Sequence, residues 1–153
     1  MRLIRFVVLV PLSLLAAQHI DTLDVNRWLF PLTDYGPCGG GATWRMPAHN
    51  YLFGVGPWFG ATVNDDTLVS IGYSPNSAAS EFKTGDSLGD SLSMVYIWPD
   101  RWPPPQSRFP RAPQERRSAQ DAWCCFKDFD STLHVWPGRP LRLQPYLTAY
   151  AWH

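Results

Sequence analysis

Four histidines, His19, His49, His134 and His153, are the side chains best suited to proton transfer or metal ligation, and they are scattered singly. None has the His-Glu-x-x-His spacing that sets two imidazoles on one helix face toward a metal. A Ser-His-Asp arrangement assembled from distant segments would make a hydrolase, and this is the third-ranked functional reading. Two acidic clusters occur, Asn64-Asp65-Asp66 and Asp128 with Asp130, the latter joined in sequence by Asp121. Alternate carboxylates on a turn can supply hard oxygen ligands, so Asp128 and Asp130 are calcium candidates. Neither cluster has the spacing of an EF-hand loop, and turn chemistry, in which Asn and Asp bond their own backbone, is the preferred reading. No metal centre and no cofactor is expected.

The three cysteines are Cys38, Cys124 and Cys125. In an exported chain a Cys38 bridge to one of the adjacent pair is a candidate disulfide, written here as Cys38 to Cys124. Successive residues of a strand point to opposite faces, so only one of Cys124 and Cys125 can meet Cys38. The alternative is that all three fill the core as small apolar side chains. The eight tryptophans offer a different chemistry, since exposed indole faces stack on sugar rings. Trp98 and Trp102, flanking a proline-rich loop, are the candidate glycan-binding pair, against the competing expectation that tryptophan fills the core.

The elements that must position these groups are strands. Fifteen prolines and eleven glycines punctuate the chain, while Trp, Tyr, Phe, Val and Thr suit pleated structure. Strands are expected over Asp24–Thr33, Trp44–Pro47, Tyr51–Val63, Thr67–Tyr73, Ser91–Trp98, Ala122–Phe126 and Leu141–Trp152, the last interrupted at Pro145. Asn64-Asp65-Asp66 is expected to turn a hairpin. Leu52, Val69, Ile71, Val95 and Trp123 are the expected inward residues of a two-sheet core. Pro99–Pro113 holds six prolines and should run extended and mostly exposed. Five arginines between Arg101 and Arg117 make it locally basic, read as a solvated loop.

At the start of the chain, Arg2 and Arg5 precede a mostly apolar run, Phe6 to Leu15, closed by Ala16-Ala17. That order describes a secretory signal peptide, with cleavage near Ala17. The run is shorter than the roughly 20 apolar residues of a membrane span, so no integral span is expected in the mature chain. Thirteen basic residues balance thirteen acidic ones, which gives no global field for nucleic acid. Residues 18–153 are expected to form one domain. They end in an uncharged apolar strand, Tyr146–Trp152, which predicts that a longer polypeptide continues it and that an exposed edge there is sticky.

Several segments resemble the N-terminal region of large secreted proteins of Bacteroidetes-related bacteria, which often carry type IX secretion sorting domains. They are DVNRWLFPLTDYG at 24–36, YLFGVGPWFGA at 51–61, DTLVSIGYSPNSAASEFKTG at 66–85, QDAWCCFKDFD at 120–130 and PYLTAYAWH at 145–153. The resemblance implies a β-rich secreted or surface module with further β domains downstream. The expectation is therefore an all-β, antiparallel sandwich-like domain with long Pro/Gly-rich loops after a signal peptide. Its expected role is non-enzymatic: a structural or interaction module whose partners are downstream domains or other cell-surface components. Glycan binding is the alternative.

Overall fold

In a computed structural model, which describes residues 18–44, 49–77, 79–85, 94–135 and 137–153, the chain forms ten strands, all paired antiparallel. The expected leader (1–17), most of Trp44–Pro47, the start of Ser91–Trp98 and Trp136 lie outside the described residues. The strands are β1 (Ile20–Leu23), β2 (Trp28–Thr33), β3 (Ala42–Trp44), β4 (His49–Leu52), β5 (Trp58–Val63) and β6 (Asp66–Ile71), then β7 (Lys83–Thr84), β8 (Tyr96–Ile97), β9 (Gln120–Lys127) and β10 (Tyr146–Ala151). Strands β1 to β4 make one sheet in chain order. In a second sheet β9 has β10 on one side and β7 and β8 on the other, while β5 and β6 form a separate ribbon. No helix among the described residues is long and apolar enough to cross a membrane.

The core explains why β9 is apolar from Ala122 to Phe126. Its Ala122, Cys124 and Phe126 meet Leu23 and Leu32 of the first sheet, Phe82, and the inward Leu147, Ala149 and Ala151 of β10. Its Trp123 and Cys125 face the opposite way, into Tyr96, Phe109 and Ala112. A strand buried on both faces cannot alternate apolar with polar side chains, because either face would then carry polar atoms out of water. The result is an all-β, sandwich-like domain with one strand at its centre.

Several sequence expectations are corrected. The strand expected at Asp24–Thr33 starts only at Trp28, as β2, because the Asp24 and Val25 amides turn aside to donate to the Gln120 side-chain oxygen at 2.6 and 3.1 Å, and a further strand, β1, precedes that turn. The long strand at Tyr51–Val63 divides into β4 and β5. Gly56 approaches Gly72 so closely that a Cβ there would lie 2.5 Å from the Gly72 carbonyl carbon, and Pro57 follows it. The hairpin itself forms, with Asn64 and Asp65 both at positive φ (51° and 66°) as a two-residue turn of mirror type needs.

The facing of β6 is opposite to expectation: Leu68 and Ser70 are buried, whereas Val69 is 46% exposed and Ile71 half-buried. Val95 and Trp123 are core as expected, and Leu52 is half-buried. The proline-rich segment is mostly exposed, as expected, but it is not extended throughout. It turns back through Phe109 N–H to Pro105 O (2.9 Å) and Ala112 N–H to Phe109 O (3.0 Å), covering the second face of β9 with Phe109, Ala112 and Pro104. Of its prolines only Pro104 is buried.

Candidate functional site: an aromatic groove along a sheet edge

β10 is the last strand of its sheet, with no strand on its outer side among the described residues. Its alternation is clear: Leu147, Ala149 and Ala151 face the core, while Tyr146 stacks on Trp123 from the other side with ring centroids 5.8 Å apart. Between β10 and the β1–β2 hairpin lies an open groove of about 490 Å³. Leu23, Phe30, Ala149 and Ala151 line it, and Trp28, Tyr150 and Trp152 form its aromatic walls. Trp152 is 60% exposed and Trp28 39%. Trp28 meets Tyr51 edge-on at 5.4 Å, and Tyr150 meets Trp152 at 6.0 Å.

The groove's amide side chain, Asn26, holds its two sides together. Its Nδ2 donates to the Trp152 carbonyl at 3.0 Å, and its Oδ1 accepts from the Trp28 amide at 2.8 Å. With both ends of that amide engaged and no charged side chain in the lining, the groove presents chiefly apolar and aromatic surface. Aromatic rings beside an open strand edge are the setting in which an extended polypeptide adds main-chain hydrogen bonds and seats alternate side chains.

The residues singled out from sequence fall elsewhere. Trp98 and Trp102 are half-buried rather than an exposed pair. The Arg116 guanidinium lies over the Trp98 ring at 4.9 Å. Trp102 packs against the Phe109–Trp123 cluster, its indole N–H buried without an acceptor. Asp128 and Asp130, the calcium candidates, take separate tasks. Asp130 caps a 3-10 turn at Ser131–Leu133 and pairs with Lys83. Asp128 is fully buried and accepts from Ser70 Oγ at 2.5 Å, His134 Nε2 at 2.7 Å and the Leu141 amide at 2.8 Å. Asp121 accepts from the Arg117 and Ser118 amides at 2.7 and 2.8 Å. Among the described residues no group of three or more His, Cys, Asp or Glu side chains is placed to hold a metal. All three cysteines are thiols in this structure, the candidate pair Cys38 and Cys124 included.

The buried Ser70–Asp128–His134 cluster contains the residue types of a hydrolytic triad in the wrong order. Asp128 stands between serine and histidine, so the imidazole cannot take the serine proton. One further pattern bears on hydrolysis: Gly85-Asp86-Ser87-Leu88-Gly89 has the Gly-x-Ser-x-Gly form of a nucleophile turn. Gly85 follows β7 with φ of 82°, and its amide donates to Cys125 O at 3.3 Å. β7 thus runs along β9 away from Asp128 and His134, and Ser87 lies outside the described residues. Sequence reasoning missed the Trp28–Trp152 groove. The signal within reach was the Tyr150-Ala151-Trp152 alternation on an uncharged terminal strand.

Comparisons of the chain with family models, with curated proteins and with solved structures find no match.

Proposed function

We propose that this domain is a non-enzymatic interaction module of an exported or cell-surface protein, and that its aromatic groove seats an extended, uncharged segment of a protein partner against β10. The observation that carries the reading is the groove itself: apolar and aromatic walls beside a strand edge with no neighbour among the described residues. A glycan needs hydrogen-bonding side chains beside its stacking rings, and Asn26 is already engaged. The basic-apolar-small order of residues 1–17 and the resemblance to secreted proteins support export.

The test is titration of isotopically labelled protein with uncharged heptapeptides alternating Val or Tyr with Thr, with lysine-rich heptapeptides and with cello- and chito-oligosaccharides. The uncharged peptides should shift the amides of Tyr146–Ala151 and the Trp28 indole, and Trp28→Ala should abolish those shifts. Shifts produced by the oligosaccharides instead, or by no probe, would overturn the groove reading. Labelling of Ser87 by a fluorophosphonate, lost in Ser87→Ala, would overturn the non-enzymatic one. N-terminal sequencing of the secreted product tests export: Met1 retained in that product contradicts leader removal.

A further inference from the structure

The two faces of β9 separate the adjacent thiols. Cys124 lies in the larger apolar cluster with Leu32, and Cys125 in the smaller one with Trp123. Cys38, half-buried, packs against the larger cluster too. Its backbone bridges Leu32 of β2, while Cys124 Sγ donates to the carbonyl of the next residue, Thr33, at 3.3 Å. Both cysteines are thus held against the same end of β2. A second bridge, Cys38 to Val55, with amide–carbonyl bonds of 2.7 and 2.9 Å, holds the Cys38 backbone on its other side. Burial pushes both thiols above their usual range, and Asp34, then Cys125, then Cys38 add to the rise at Cys124, as nearby like charges do.

We propose that Cys38 and Cys124 form a disulfide when the folded chain meets a small disulfide oxidant such as oxidised glutathione, fastening the loop after β2 to the central strand. This is independent of the groove. Cys38, the less buried thiol, loses its proton and attacks one sulfur of the oxidant, releasing one glutathione thiolate. Cys124 then loses its proton and attacks Cys38 Sγ in the mixed disulfide, releasing the second. Two protein thiols are oxidised, one glutathione disulfide is reduced, and the two protons pass to the departing thiolates. Cys125 cannot substitute, because it points to the opposite face of β9.

The test incubates the native chain with oxidised glutathione, unfolds it in iodoacetamide and maps its peptides by mass. The expected result is one alkylated cysteine, Cys125, and a linked Cys38–Cys124 peptide pair. Cys125→Ser should then carry no alkyl group, and Cys38→Ser two. The oxidised wild type should melt about 5 °C or more above the reduced form, a gap absent from Cys38→Ser. Three alkylated cysteines, a link through Cys125 or a dimer joined at Cys38 would each overturn the assignment.

Discussion

Ser70 is a polar residue on an inward face, and its hydroxyl is there for Asp128. The carboxylate accepts three hydrogen bonds in a site closed to water, and His134 presents its other ring nitrogen to Glu81 Oε2 at 3.6 Å. Asp128→Ala would strand the Ser70 hydroxyl, a His134 nitrogen and the Leu141 amide, each orphan costing about 1–3 kcal/mol. Ser70→Ala removes one donor and leaves Asp128 two others, so its cost should be about 1 kcal/mol. Urea unfolding of both variants checks this, and equal losses would show that Asp128 does not organise the cluster.

Two other carboxylates set opposite pH slopes. Burial raises Asp34 above the usual carboxylate range, against the lowering bonds from His19. Its folded state therefore holds the proton more tightly, and its contribution to stability falls as pH rises above about 4. The hydrogen bond from Lys83, then those from Thr132, lower Asp130. Its contribution is present above about pH 4 and is lost as pH falls toward its folded value. Asp34→Asn should gain on the wild type as pH climbs above about 4, and Asp130→Asn should lose on it between about 3 and 5. Urea midpoints measured across that range test both, and curves parallel to the wild type would contradict the pair.

The β5–β6 ribbon was legible as an element and illegible in its facing. Two strand-forming runs around Asn64-Asp65 specify a turn from local chemistry alone. Which face is buried depends on Asp128, which is 58 residues from Ser70 in sequence. An isolated reading of Thr-Leu-Val-Ser-Ile prefers Val69 and Ile71 inward, because it cannot see the partner that makes Ser70 acceptable. Leu68→Ala should cost about 2–3 kcal/mol, whereas Val69→Asp should stay within about 1 kcal/mol. Chemical denaturation of the two variants decides the facing, and the reverse ranking would restore the sequence-based expectation. The β1–β2 boundary was hidden for the same reason, since the Gln120 side chain makes it from 96 residues away.

For the whole molecule, composition carried the all-β class and the local run Ala122–Phe126 carried the central strand. The groove was not legible, because Trp28 and Trp152 meet only through the fold. Trp98 and Trp102 stood out by lying together beside prolines, yet Trp102 packs against the Phe109–Trp123 cluster and Arg116 lies over Trp98. Exposed aromatic walls beside an open edge favour association of the protein with itself when no partner is present. Light scattering should rise with concentration for the wild type and less steeply for Trp28→Ser and Trp152→Ser, at unchanged melting temperature. Identical concentration dependence in all three would place the adhesive surface elsewhere.

The central position of β9 also sets a timetable. Leu23, Leu32, Phe82, Val95 and Phe109 all precede it in the chain, and all are buried in clusters to which it contributes. On a ribosome or in a translocation channel these side chains emerge before the strand that organises them. The nascent chain is therefore expected to stay open until residue 127 has appeared. Stalled nascent chains exposing residues 18–117 should be digested readily by protease, and chains exposing 18–153 should resist. Equal resistance would show that the early hairpins fold without their centre.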